Sequence, residues 1–280
     1  MTEQPKEVPR EDRFRFGKNW ENFLSVLDEH RIHDAEKSLK HMLGVEDLKW
    51  KRFLDIGSGS GLFSLAARRL GAKVYSFDYD RQSVECTRFL KQSYFPEDRD
   101  WAIEQGDVLK VDYLRSLGTF DVVYAWGVLH HTGAMWQALE NVTLLVAEGG
   151  KLFVSIYNDQ GAASRCWRAL KKSYNRFPKP FKLSIILGVG AYWETCSGLW
   201  RLIRLKNPLP FKHWKEKKKD RGMSVWYDLV DWVGGYPFEV AKPEEIFDFY
   251  FRRGFALHRL KTCGRGHGCN EYVFAKRREL

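Results

Sequence analysis

The sequence predicts an α/β protein, a parallel sheet covered by helices on both faces and interrupted by one large insertion. Three observations carry this. Strand-length apolar runs alternate with amphipathic helix-length runs over residues 51–158. The first such pair is joined by a glycine turn: "FLDIGSGSGLFSLAARRLGAKVYSFDYD", residues 53–80, reads as strand, turn, helix, strand and acid. The positive charge is also segregated, with 16 Lys+Arg against 3 acids between Gly161 and Arg221 and 30 against 33 elsewhere.

Taken in order, "MTEQPKEVPRED" is charged and proline-bearing, unlike a signal peptide, and residues 1–15 are expected to be a disordered tail. Residues 19–43 carry apolar positions at helical spacing (Phe23, Leu24 and Leu27, then Ile32, Ala35 and Leu39) and predict one or two helices. Residues 51–57 are a short buried strand, 61–71 a helix closed by Gly71, 73–80 a second strand and 81–95 a helix. A third strand is expected over 101–108, running into a turn, and a fourth over 120–131. A helix over 135–150 leads to a fifth strand, 150–158. Residues 159–241 break the alternation and form the basic, aromatic insertion. Regular structure resumes with a helix at 243–254, whose Pro and two Glu suit a helix start, then two strands around "CGRGHGC" that pair as a hairpin. The domain division is therefore a tail (1–15), the first part of the sheet domain (16–158), the insertion (159–241) and a completing helix and hairpin (242–280).

Composition narrows the classes. The 280 residues, 44% hydrophobic and 29% charged, suffice for one sizeable core. Five scattered cysteines (86, 166, 196, 263 and 269) point to a reducing compartment, and a cytoplasmic location is expected. Eleven tryptophans suggest surfaces that grip something flat or greasy. The net charge of +10 arises wholly in the insertion, so any anionic partner meets the protein there.

The glycine turn aims backbone N–H groups and a helix N-terminus at a ligand. A dinucleotide fingerprint needs a further glycine where Leu62 stands. The pattern present, Asp55-x-Gly57-x-Gly59-x-Gly61, resembles that of the class I S-adenosylmethionine-dependent methyltransferases, small-molecule type, and of the ubiquinone- and menaquinone-pathway enzymes among them. Matching pieces span residues 50–158 and 243–277 in the family's order. The resemblance implies a Rossmann-like seven-stranded sheet with a terminal antiparallel hairpin and a mainly helical insertion after the fifth strand. It also implies S-adenosylmethionine as cofactor, held by Asp55, Gly57, Ser58, Gly59, Gly61 and Trp126. Asp78 would meet the ribose hydroxyls and Tyr79 the adenine, with Asp107 and Val108 of "QGDV" at the adenine edge.

The segment after the fourth strand, "AWGVLHHTG", lacks the Asn/Asp-Pro-Pro-aromatic motif of enzymes that methylate base amines and the Pro-Cys of cytosine-C5 enzymes. It resembles the Leu-x-His segment of small-molecule methyltransferases, so His131 or His130 is a candidate base, unless one caps a helix or is buried. The acceptor implied is a small molecule, aromatic or lipid-like, methylated at oxygen; the alternative is an RNA- or protein-directed enzyme using the basic insertion to hold its partner. Residues 183–200 hold one charge, Glu194, flanked by Lys179, Lys182, Arg201, Arg204 and Lys206. That pattern fits either an apolar lid or, over residues 179–219, a contact with an anionic membrane. "RGMSVWYDLVDWVGGYPFE" supplies further candidates, with Arg221, Asp228, Asp231, Tyr236 and, from the hairpin loop, His267 for substrate and Tyr236 also for catalysis. Cys263, His267 and Cys269 lack a standard zinc spacing, and no metal is expected.

Overall fold

A computed structural model describes residues 13–14, 16–205, 225–264 and 268–278. The elements are α1 (Gly17–Leu24), α2 (Glu29–Leu43), β1 (Arg52–Ile56), α3 (Leu62–Arg69), β2 (Lys73–Asp78), α4 (Arg81–Tyr94), β3 (Trp101–Gln105), α5 (Val111–Leu117), β4 (Phe120–Trp126), α6 (Met135–Thr143), β5 (Val146–Tyr157), α7 (Ala162–Arg176) and α8 (Lys179–Ile203). Two further helices, Val225–Gly234 and Pro243–Phe251, precede β6 (Phe255–Lys261) and β7 (Cys269–Lys276). The seven strands run in the order β3-β2-β1-β4-β5-β7-β6, parallel from β3 to β5 and antiparallel at β7. The order reverses between β1 and β4, so the crevice beyond their carboxyl ends is the natural ligand position.

Strand alternation explains the two-sided core. Phe53, Val74, Tyr124, Phe153 and Val273 face Ile32, Leu39 and Leu43 of α2 and Leu65 of α3. Their neighbours Leu54, Val123, Leu152 and Phe274 face the opposite layer, which holds Leu139 and Val142 of α6 and Ile246 and Tyr250 of the helix Pro243–Phe251. Burial on both faces is what makes these strands read as continuous apolar runs.

Three boundaries differ from the sequence reading. The helix expected to reach Gly150 ends at Thr143, and β5 starts at Val146. The Phe120 amide takes the Leu145 carbonyl at 2.7 Å, drawing "LVAEGG" into the sheet beside β4. The pairing then jumps from Phe120↔Val146 to Val122↔Lys151. Gly149 (φ 71°) and Gly150, where a Cβ would lie 2.8 Å from the Ala147 carbonyl oxygen, accommodate the bulge. The third strand stops at Gln105 and the fourth at Trp126, where Gly127 turns the chain (φ 74°) into one 3₁₀ turn, Leu129–His131. The short helix α5 was not foreseen, because only Leu114 of its seven residues is buried.

The described part of the insertion, residues 159–205 and 225–241, is a small helical layer. Tyr174, Ile186, Val189 and Val233 form its centre, with Trp167, Trp193 and Trp232 packed around them. Its two ends meet: the Asp159 amide donates to Ala241 O and the Ala241 amide to Tyr157 O, at 3.1 and 3.0 Å.

Gly61, which N-caps α3 with φ 81°, tests this packing. A Cβ there would lie 2.8 Å from the Thr87 Cα of α4. Gly61→Ala is therefore expected to lower unfolding free energy by about 2–4 kcal/mol, combining backbone strain with overpacking. Urea denaturation of both proteins measures this.

Candidate functional site

The glycine turn reverses the chain over the end of β2. The amides of Gly57 and Ser58 both donate to the Phe77 carbonyl, at 2.8 and 3.2 Å. The next amide, of Gly59, donates to Asp78 Oδ2 at 3.0 Å, and the Asp80 amide to Asp78 Oδ1 at 2.8 Å. Gly57 (φ 70°) admits no side chain, since a Cβ would lie 2.5 Å from the Val128 methyls. Gly59 (φ 56°) lies under the Trp20 ring, 3.0 Å from where its Cβ would be.

This turn opens into a cavity of about 2180 Å³, over twice the ~300–1,000 Å³ common for ligand pockets. Of the residues expected to hold the cofactor, Asp55, Gly57, Ser58, Gly59, Asp78, Tyr79, Asp107, Val108 and Trp126 line it. Gly61 is not among the lining residues and stands at the α3–α4 contact. His130, His131 and Tyr236 line the same cavity. Arg221 and His267 lie outside the described residues. Asp228 and Asp231 fall within the helix Val225–Gly234, with side chains outside the description.

The electrostatics of the floor follow from desolvation. Asp55, 2% exposed, has its carboxyl raised to about 7, chiefly by burial and with a contribution from the Asp78 charge; the Ser64 hydroxyl bound to it opposes the shift. Ser64 in turn bonds Ser76 at 2.7 Å, which accepts from the Trp101 indole at 2.9 Å, so β1, α3, β2 and β3 share one buried polar chain. Asp78 is raised to about 6, again chiefly by burial, against the Gly59 and Asp80 amides that lower it.

The histidine wall is neutral. His131 Nδ1 lies 2.6 Å from the Pro237 carbonyl, which can only accept, so Nδ1 carries the proton and Nε2 the lone pair. Burial, with a smaller contribution from Lys171, lowers the His131 pKa to about 4. His130, 1% exposed, is held well below its ordinary value by burial first and then by His131; it packs 4.2 Å from the Tyr157 ring, and its Nδ1 finds no partner among the described residues. Beyond the histidines the cavity continues between Tyr157, Trp193, Trp232 and Tyr236.

Sequence reasoning missed four contributors. Arg13 and Phe14, within the stretch expected as a tail, strap the site: Arg13 donates to Thr132 O at 3.1 Å and lies 5.2 Å over the Tyr79 ring, and the Phe14 amide donates to Tyr236 O at 2.9 Å. Glu239 accepts from the Met135 amide at α6, fixing the segment that supplies the Pro237 carbonyl. Lys171 is fully buried, donating to Trp232 O and lying 4.2 and 4.8 Å from the Trp232 and Phe238 rings. A signal for Lys171 existed: Ser164, Trp167, Lys171 and Tyr174 recur at helical spacing on one face of α7. Among the described residues no cluster of metal-ligating side chains occurs.

Asp55 makes the ligand-free protein pH-sensitive. Its folded pKa, about 7, exceeds the ordinary 3.8, so the folded state binds the proton more tightly. The stabilisation is complete below pH ~4 and is lost as pH rises to ~7, on the order of 4 kcal/mol in total. The melting temperature is expected to fall between pH 5 and 8, and Asp55→Asn to flatten that slope; an unchanged slope in the variant would refute the assignment.

Comparison with known proteins agrees with this architecture. A family model described as a methyltransferase domain matches residues 27–207. A ubiquinone biosynthesis O-methyltransferase of Xanthomonas oryzae pv. oryzae is 32% identical over 119 residues, 42% of this chain and 47% of that protein. The chain thus spans about half the length of the curated relative it matches first. The protein of the same name from Xanthomonas euvesicatoria pv. vesicatoria is 30% identical over 171 residues, 55% of this chain and 70% of that one. Magnesium protoporphyrin IX methyltransferase from Synechocystis PCC 6803, solved with bound SAH, superposes with a TM-score of 0.52 at 14% identity, covering 88% of this chain and 83% of the other. With the family match extending over more than half its length and the strand order in agreement, the chain belongs to the class I S-adenosylmethionine-dependent methyltransferases.

Proposed function

We propose that the protein transfers the methyl group of S-adenosylmethionine to a hydroxyl oxygen of a small aromatic or lipid-like acceptor. The observation that carries this reading is that the neutral His131 lines one continuous cavity together with the glycine cradle and the aromatic residues Tyr157, Trp193 and Trp232. When bound, the cofactor supplies a methyl group on a sulfonium, which leaves readily as a thioether. The residues present fit it. Gly57, Ser58 and Gly59 line the cavity where its amino-acid end would lie, Asp55 borders the same place as a counter-charge for an ammonium, Asp78 offers carboxylate oxygens to ribose hydroxyls, and Tyr79, Asp107 and Val108 border the adenine end.

His131 holds the proton lost by the acceptor. With Nδ1–H tied to Pro237, Nε2 is free to receive it as the oxygen–methyl bond forms. A pKa of about 4 makes His131 a weak base towards a resting phenol. It suffices towards the far more acidic hydroxyl of an oxygen already bonding to carbon, so the proton moves late. Alignment of the acceptor by the aromatic walls does most of the work. The similarity to the Xanthomonas ubiquinone biosynthesis O-methyltransferases supports an aromatic, lipid-tailed acceptor, and the cavity volume leaves room for one beside the cofactor.

Turnover of labelled methyl donor against cell extract fractionated into lipid, small-molecule, RNA and protein pools tests the reading, with label expected in an organic-soluble, base-stable product. His131→Gln retains a donor for Pro237 but no base. It is expected to lower kcat by ~10²–10⁴-fold with cofactor affinity unchanged; equal turnover would remove His131 from the chemistry. Asp78→Asn is expected to weaken cofactor binding roughly 10- to 100-fold by calorimetry, the cost of a charge-assisted hydrogen-bond pair.

A further inference from the structure

We propose that α8 is a docking helix for an anionic lipid surface, and that an acceptor dissolved in that surface enters the cavity along it; the second clause rests on the function proposed above. The helix has 25 residues, about 37 Å of length. Every exposed position between 180 and 203 is uncharged. The outer face presents Phe181, Leu187, Tyr192, Leu199, Leu202 and Ile203, the last 72% exposed. The charged residues within that span, Lys182, Glu194 and Arg201, are half-buried, with Arg201 paired to Glu194 at 3.6 Å and Lys182 lying 5.4 Å from the Tyr174 ring. This inverts the usual surface helix, which turns its charges outward. The two aliphatic hydroxyls on the face are satisfied within the helix, Ser184 donating to Pro180 O at 3.3 Å and Thr195 to Ala191 O at 2.8 Å, while the Tyr192 phenol suits the polar boundary of a bilayer.

The surroundings are cationic. Residues 160–193 contain no Asp or Glu, while Arg165, Lys172 and Arg176 of α7 and Arg204 beyond α8 are exposed. An apolar face with basic borders matches the interface of an anionic bilayer, tails beneath and phosphates around. No described helix is long and apolar enough to cross a membrane. A second copy of the chain would bring two basic segments together. Nucleic acid would need cations on the face itself.

The same helix borders the cavity. Leu187 and Ala191 are exposed and also line it, so the cavity opens at the apolar face. A lipid-tailed acceptor thereby passes from bilayer to site without exposing its tail to water.

The test uses the full chain with vesicles of phosphatidylcholine alone and with about 30% phosphatidylglycerol, read by flotation. Binding to the anionic vesicles is expected to be roughly tenfold stronger or more, with the preference lost between about 0.1 and 0.5 M salt. Leu199→Glu and Tyr192→Glu, which lie outside the cavity lining, are each expected to reduce it about tenfold. Circular dichroism and cofactor calorimetry confirm the fold of each variant. No flotation of the unaltered protein on anionic vesicles at about 0.1 M salt overturns the proposal. So does a concentration-dependent dimer dissolved by Leu199→Glu, or retention of a short RNA in place of vesicles. If the unaltered protein floats but neither binds cofactor nor methylates, the proposed function fails while the docking surface stands.

Discussion

The hydrogen bond from the Gly59 amide to Asp78, 3.0 Å long, is the constraint on which the site depends. It ties the turn after β1 to the end of β2. With the Phe77 carbonyl bound twice by the same turn, it fixes where α3 begins and which amides face the crevice. Such a path requires positive φ at alternate positions, which is why glycines recur there at a spacing of two. From Asp78 the chain continues to Asp80, whose carboxylate accepts from the Gln82 amide at the start of α4 and from the Gly17 amide at the start of α1. One short acidic corner therefore positions the turn, a sheet helix and the strap that brings Trp20 over Gly59.

The second half of the site depends on the insertion being stitched to the sheet. Pro237, Phe238 and Glu239 run beside the 3₁₀ turn, where the Glu239 amide bonds the His130 carbonyl at 3.0 Å and Pro237 fixes the His131 tautomer. Lys171 is buried beneath with its charge spread over Trp232 and Phe238. Its field and the loss of water act in the same direction and hold both histidines uncharged. An imidazole kept neutral by its surroundings presents an unprotonated nitrogen across the physiological range, at the cost of a lowered basicity.

How far this was legible differs between the halves for a physical reason. The β1–turn–α3–β2 unit is local: its hydrogen bonds join residues about twenty apart, and each leaves a residue-type signature in Gly57, Gly59 or Asp78. The terminal hairpin shows itself for the same reason. The contacts that complete the site are long-range and use backbone atoms. His131 meets Pro237 O across 106 residues, and Phe14 meets Tyr236 through amide and carbonyl, groups every residue possesses. No residue type announces them. The bulge in β5 was hidden because "LLVAEGG" satisfies a helical period and a strand period alike until β4 claims it. Lys171 was readable from the periodicity of α7, yet a single lysine amid a basic run looks like solvated surface.

Asp55 and Asp78 join folding to binding. Both are raised toward neutrality chiefly by burial, with the Asp78 charge adding to the rise at Asp55 and the Asp80 charge to the rise at Asp78. Without ligand, the folded state resists losing their protons, and stability declines as pH climbs through 4 to 7. A ligand placing an ammonium beside Asp55 and hydroxyl donors at Asp78 favours the ionised acids, so its affinity rises over the same interval in which the ligand-free protein weakens. The two trends are one linkage seen from opposite sides. The protein is thereby least stable alone at the pH where it would hold such a ligand best, and the charges such a ligand would balance lie in the same cavity that Arg13, Phe14 and Trp20 line.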